Sequence, residues 1–562
     1  MSKGKAGFAN EKAKSHFKLE IQGVLTQAPS EVTLLELSRT YADDFTYPIL
    51  LAKVNNELQE LHNTLAENST VEFLDITDPN GFRAYQRAVA FVMIYAAKEV
   101  LGRKTRIVVE HSINKNYYCE IPDVEITKEL LQKIEKRMVK AVNDDLPIEK
   151  NSFPVEKAVM LCRSQGFTDK ERILKYRRTA NVNFYKLDWL YDYFYGPMPP
   201  STGVLKAFKL SQKGNGFILQ FPSSAMPDEL AELKPLNKIA QVFQESTSWA
   251  KILRVDTVGA LNDLMCEGSF GDIVRTNEAL HEKKIASIAD MIYDQNKSLV
   301  MIAGPSSSGK TTFANRLCTQ LKVNGLRPHV ISLDDYYLNR EDIPLDEEGQ
   351  PDLEVVHALD IQQINADLSE LLSGKTVQIP YFNFISGERE YKGRYIKLNK
   401  GDVLVMEGIH GLNDLLTAHI PKRKRFKVYI SALTQLNIDD HNRIPTTDTR
   451  LIRRIVRDSQ FRGTDAVTTL KMWPSVTRGE NMNIFPYQEE ADAFFNSALV
   501  YEMSILKQFA EPLLFRVDKN LPQYAEARRL VKFLDCFLGA SSEVVPNNSI
   551  LREFIGGSCF RT

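Results

Sequence analysis

The stretch GPSSSGKTT, Gly304 to Thr312, decides the fold of the second half of this 562-residue chain. An apolar run, SLVMIAG, leads into it from Ser298, and a helix-forming run, FANRLCTQLKV, leaves it. The stretch fits GxxxxGK[ST], and a strand before with a helix after is the context that motif requires. Gly304 and Gly309 let the backbone turn its N–H groups inward, and the helix N-terminus adds partial positive charge. Ser306, Ser307, Ser308 and Thr312 complete the cradle. Lys310 is placed to reach the outer phosphates, and the Thr311 hydroxyl to sit on Mg²⁺. The pattern predicts a nucleoside triphosphate. It does not separate a kinase from an ATPase or a GTPase.

Outward from the loop, strand-like and helix-like runs alternate: SLVMIA, TTFANRLCTQLKV, PHVISLDDYY, IQQINADLSELLSG, GDVLVMEGIHG and FKVYIS. That alternation predicts a parallel α/β sheet, whose ligands gather at the carboxyl ends of its strands. Asp334 and Asp335 end one such strand, and Glu407 ends another. A carboxylate there accepts the proton of an attacking hydroxyl, or holds Mg²⁺. The plainer reading is a turn or helix cap for the aspartates and a surface charge for Glu407. In TRLIRRIVRDSQFRG, Arg450, Arg453, Arg454 and Arg457 share one helical face, and Arg462 follows. The face is either solvated or a lid that closes on phosphates.

The length suggests about two to four domains. Charged residues make up 25% and hydrophobic ones 43%, with a net charge of -1, so no global charge calls for nucleic acid or an anionic membrane. The polar, basic N-terminus has no signal-peptide core, and no apolar run is long enough to span a bilayer. Six scattered cysteines without a CxxC pair suit a reducing, cytoplasmic setting. The front half reads as a small β-grasp module followed by an α+β region. The stretch SILREFIGG near the C-terminus has no evident structural reading.

In order, GPSSSGKTT, SLDDYY, PDLEVVHALD, IPYFNF, VMEGIHGL and DTRLIRRIVRDSQFRG make residues 298–540 resemble the uridine kinase/phosphoribulokinase family of P-loop kinases. The resemblance implies ATP and Mg²⁺ as cofactors and a nucleoside as substrate. It implies Asp334 as catalytic base, with Tyr337 nearby and Glu354 on the sugar hydroxyls. It implies Glu407, Thr311 and Asp334 around the metal. Among the lid arginines it implies Arg453 on ATP, and Arg457 and Arg462 on the transferring group. Animal-type uridine–cytidine kinases read the base with a Tyr and a His; here Phe382 and Gly387 stand at those places, which keeps stacking and loses the hydrogen bonds. Members of this family are often oligomeric, so a homo-oligomer is compatible.

The front half resembles the N-terminal region of threonyl-tRNA synthetase through AKVNNEL, LDITDPNGFRAY, EHSINKNYYCEI, NDDLPIEK and GPMPPSTGVLKAFKL. The implied order is a flexible tail at 1–16, a TGS-like β-grasp domain at 17–77 and a degenerate editing-like α+β domain at 78–235. A helical linker at 236–296, the α/β P-loop kinase domain at 297–540 and a C-terminal tail at 541–562 complete it. The synthetase's HxxxH and CxxxH positions read Arg87, Phe91, Phe194 and Met198, which cannot bind Zn²⁺. His111 remains, and a lone histidine is more often structural. The front half is therefore expected to bind RNA or a small-molecule effector, not to do chemistry. Three readings stay open: a nucleoside kinase using ATP or GTP, a small-metabolite kinase of the phosphoribulokinase type, and an RNA-binding regulator with a nucleotide domain.

Overall fold

The computed structural model describes residues 16–560 apart from 30, 114, 231, 234–236, 347, 348, 385 and 435. The expected tail at 1–16 thus lies, except for His16, outside the described residues. The chain forms two units. One comprises Met1–Thr168, Thr179–Leu233 and Asp518–Ala525; the other comprises Asp169–Arg178, Lys234–Val517 and Glu526–Thr562.

The first unit opens on a hairpin, His16–Ile21 with Val24–Pro29, turned by Gln22 and Gly23 in the left-handed region. Strand Ser69–Leu74 lies parallel to His16–Ile21 and antiparallel to Leu51–Val54, and Glu57–Gln59 closes a five-stranded sheet. Helix Leu34–Thr40 starts from a capping box of Thr33 and Glu36. Leu19, Ile21, Leu34, Val71 and Phe73 are buried together. Next comes a 23-residue helix, Pro79–Leu101, capped by Asp78 and buried along most of its length. A four-stranded and a three-stranded sheet complete the α+β region.

The second unit is built on an all-parallel sheet. Its strands are β1 (Leu299–Ala303), β2 (Arg327–Ser332), β3 (Asp402–Glu407), β4 (Arg425–Ser431) and β5 (Ala493–Asn496), in the order β2-β3-β1-β4-β5. Central β1 and β3 are buried at every position, which is why β1 reads as an unbroken apolar run and β3 as the apolar run Val403–Met406 between Asp402 and Glu407. The chain departs from β1 to opposite sides, so the crevice for a ligand lies at the carboxyl end of β1. Helix α1 (Lys310–Val323) follows the loop there.

Two sequence expectations change here. The helical linker is an integral part of the second unit: helix Phe270–Asp294 meets α1 through Arg316, which pairs with Glu278 at 3.2 Å and Glu282 at 2.7 Å. The C-terminal tail is folded as well. A short helix, Arg552–Ile555, buries Phe554 and Ile555, with Ile550 and Leu551 buried just before it. Four large apolar side chains within six residues cannot remain in water at little cost, which explains the packing. Among the described residues no helix is long and apolar enough to cross a membrane.

Candidate active site

The loop between β1 and α1 depends on two glycines. A Cβ at Gly304 would overlap the Ile430 carbonyl, and Gly309 lies at φ +84° against the Ile550 side chain. Ser307 is also left-handed, at φ 60°, so the loop curls as an anion nest does. The hydroxyl oxygens of Ser307, Ser308 and Thr312 are buried and have no hydrogen-bond partner among the described residues. Buried polar atoms are seldom left that way, and phosphate oxygens are the acceptors this cradle lacks. Lys310 Nζ rests on the carbonyls of Gly304 at 3.1 Å and Pro305 at 3.2 Å. Burial lowers its pKa, against the pull of Glu407, Asp334 and Glu553.

Glu407 ends β3 and accepts from Thr311 Oγ1 at 3.2 Å and Ser332 Oγ at 3.4 Å. Burial pushes its carboxyl up to about 7, and neighbouring Asp334 adds to the push. A buried carboxylate and a hydroxyl beside a second carboxylate are the oxygen donors a Mg²⁺ ion takes. The residues present therefore fit the metal.

The two aspartates after β2 diverge. Asp335 pairs with Arg394 at 3.3 Å. Burial raises the Asp334 carboxyl, opposed by Lys310, Arg462 and Arg457 in that order, so Asp334 sits among cations at the mouth of the loop. Tyr337 donates to the Leu353 carbonyl at 3.1 Å. Its ring lies 5.5 Å from Phe382 and 6.1 Å from Phe384. Phe382 is buried and Phe384 exposed, so the second ring, absent from the sequence expectations, is the one open to a ligand. Glu354 packs its Cβ on Gly479, and burial beside Glu480 pushes its carboxyl up to about 7. Gly387, at φ +77°, faces the Arg340 side chain.

The arginine stripe on α2 (Thr446–Phe461) divides: Arg450, Arg453 and Arg454 are buried, and Arg457 is partly exposed. Arg450 binds Glu480 with both terminal nitrogens and the Ser306 carbonyl at 3.1 Å. Arg453 gives Nε to Glu502, Nη1 to the Ser307 carbonyl and Ser497 Oγ, and Nη2 to Glu502 and the Ser497 carbonyl. Those contacts use every N–H donor of the guanidinium. This is a correction to the expected ATP contact: Arg453 braces the loop through a carbonyl and keeps no donor for a phosphate. Arg454 reaches Ser306 Oγ at 2.9 Å. Arg457 and Arg462 share Asp458, at 3.3 and 3.8 Å. Burial and Arg462 lower Arg457 to about 10.

Two carboxylates escaped the sequence reading. The Ser306 amide donates to Glu480 at 2.9 Å, and the Thr312 amide donates to Glu553 at 3.1 Å. The only signal for Glu553 was the unexplained run SILREFIGG. In the first unit, the Arg87 guanidinium donates to the Pro197 carbonyl at 3.2 and 2.7 Å, and Phe91 meets Phe194 edge-on at 5.3 Å. His111 lies 4.9 Å from the Tyr118 ring.

Residues 299–504 match the model of the phosphoribulokinase / uridine kinase family. The N-terminal region is similar to threonine–tRNA ligases. The ligase of Syntrophotalea carbinolica is 28% identical over 203 residues, 34% of this chain and 32% of that protein. The ligase of Carboxydothermus hydrogenoformans is 29% identical over 184 residues, 32% of this chain and 29% of that protein. The chain thus spans about a third of the length of these curated relatives. A solved structure described as a possible uridine kinase from Bacillus stearothermophilus is 18% identical, covers 37% of this chain and 97% of its own, and has a TM-score of 0.24.

Proposed function

We propose that the second unit is a nucleoside kinase that transfers the γ-phosphate of ATP to a nucleoside 5′-hydroxyl, with uridine the leading acceptor. The observation that carries this reading is the separation of the two aspartates. Asp335 is held by Arg394, while Asp334 faces Lys310, Arg457 and Arg462. A raised carboxyl among cations suits a base that takes a proton from the attacking hydroxyl. Mg²⁺, held by Thr311 and Glu407 with Asp334 beside them, would screen the phosphate charge. Lys310 and the two arginines stabilise charge on the transferring group, and Arg450, Arg453 and Arg454 hold the loop still for it. Phe384, backed by the buried rings of Tyr337 and Phe382, offers an aromatic face to the base, and Glu354 a carboxyl to the sugar.

The basic side chains around this face are engaged. Arg389 pairs with Asp360 at 2.8 Å, Arg394 with Asp335, and Arg340 donates to the Phe384 carbonyl at 3.1 Å. That favours an uncharged acceptor over a sugar phosphate. Arg340 opposite Gly387 supports a second reading, a hydroxylated metabolite other than a pyrimidine nucleoside. The first unit, a TGS-like and degenerate editing-like region in this reading, serves as a binding or regulatory module for RNA or a small effector in a cytoplasmic protein, free or self-associated. The test is ADP release by the purified full chain with ATP and Mg²⁺ against nucleosides, pantothenate and sugar phosphates. Stimulation by uridine or cytidine supports the reading. Stimulation by another acceptor alone renames the substrate. ATP binding without stimulation by any of them shifts the weight to the RNA-linked reading.

A further inference from the structure

We propose that the C-terminal segment 549–555 is a latch on the nucleotide site, with Glu553 standing where a phosphate oxygen must bind; the inference rests on the nucleotide reading of the loop. Thr312 lies in the first turn of α1, where a phosphate loop presents its amides to the ligand. Its N–H is occupied by Glu553 Oε2 at 3.1 Å. An amide hydrogen aimed at a carboxylate is not available to a phosphate, and the two anions repel at that distance. Glu553 also shares its field with Lys310, Glu407 and Arg457, the groups assigned to phosphate, metal and transition state.

The segment is fixed in this place. Ile550, fully buried, lies against Gly309, the glycine before the catalytic lysine. The Phe554 ring faces the Arg453 guanidinium at 5.0 Å, and Arg453 in turn holds the Ser307 carbonyl. Arg552 ties the segment back on itself through the carbonyls of Ser542 at 3.0 Å, Val545 at 2.6 Å and Gly556 at 3.3 Å. Among the described residues the hydroxyls of Ser307, Ser308 and Thr312 still lack partners around it. The latch therefore covers part of the cradle without filling it. It occupies the Thr312 amide, as Glu480 occupies that of Ser306, and leaves the three hydroxyls for the ligand.

A nucleotide must break the Glu553 contact to seat its phosphates. Its apparent affinity is then the intrinsic affinity reduced by the fraction of molecules with the latch open. Whatever draws the C-terminal segment away raises that fraction and switches the kinase on, without any change at Asp334.

The test is calorimetric binding of a non-hydrolysable ATP analogue with Mg²⁺ to the full chain, to Glu553→Gln and to Lys310→Ala. Glutamine keeps the shape and removes the charge. Loss of one charge-assisted contact predicts about tenfold tighter binding to Glu553→Gln, with Lys310→Ala strongly weakened. Equal or weaker binding to Glu553→Gln, with Lys310→Ala still weakened, overturns the latch and leaves the nucleotide site standing. Unweakened binding to Lys310→Ala overturns the nucleotide reading and the latch together. Hydrogen exchange on the unmutated chain gives an independent check should Glu553→Gln fold poorly. Amides of 550–556 should lose protection when the analogue binds; unchanged or increased protection means that the segment is a permanent wall of the site and overturns the latch.

Discussion

The two halves of this chain carry two buried clusters at places where enzymes do chemistry, and the clusters differ in what they leave unsatisfied. In the first unit, Phe91 and Phe194 satisfy each other and the Arg87 guanidinium closes on the Pro197 carbonyl. In the second, the hydroxyls of Ser307, Ser308 and Thr312 lack partners among the described residues, the Lys310 pKa is lowered, and Glu354 and Glu407 are pushed up to about 7. A group held away from its preferred charge or partner is one that a ligand can relieve, so such groups gather at functional sites. Burial lowers the Arg87 pKa in the first cluster as well, so the contrast lies in the raised carboxyls and in the hydroxyls that have no partner among the described residues, and it agrees with the proposed reading.

Four substitutions sharpen or break that contrast, in falling order of effect. Arg457→Ala removes a cation facing Asp334 and should lower kcat about 10³-fold with ATP affinity nearly kept; steady-state kinetics with an ATP titration decides. Phe194→Ala should destabilise the first unit by about 3–5 kcal/mol in chemical denaturation and leave kcat of the folded kinase unchanged. A collapse of kcat at constant fold would mean that the first half takes part in the chemistry.

Glu354→Gln tests strain against function. The folded-state pKa of Glu354, about 7, stands above its ordinary value of 4.5. The folded protein keeps a proton that the unfolded chain releases, so this group's contribution to stability falls as pH rises from about 4.5 through 7. Glutamine has no such titration. The variant should melt higher than wild type at pH 8, match it more closely at pH 5, and show a raised acceptor KM. Phe384→Ala should raise the acceptor KM about tenfold with kcat kept, the size of one lost stacking contact on a base. An unchanged KM would take the exposed ring out of the acceptor site.

The phosphate loop and the sheet under it were legible because backbone geometry dictates them. Gly304 has no room for a Cβ, Gly309 needs a left-handed turn, and strands covered on both faces are apolar along their middle, as in LVMIA and VLVM. The arginine stripe was legible as a face but not as a division of labour. Periodicity says which residues point the same way, not that Arg450 meets a glutamate 30 residues on while Arg457 stays near Asp334. The C-terminal segment was the least legible. Four helical residues set no period, and the meaning of Glu553 depends on Thr312, 241 residues earlier. The assignment of Asp169–Arg178 to the second unit is hidden for the same reason: it rests on distant contacts such as the buried Lys170–Asp439 pair at 2.7 Å.

The account stands most directly on Asp334. The measurement is transfer of labelled γ-phosphate from ATP to uridine by the full chain and by Asp334→Asn, with binding of the ATP analogue followed in both. The account predicts labelled uridine monophosphate from the wild type, a loss of about 10²–10⁴-fold in the variant, and unimpaired analogue binding. Transfer by Asp334→Asn at the wild-type rate would contradict it.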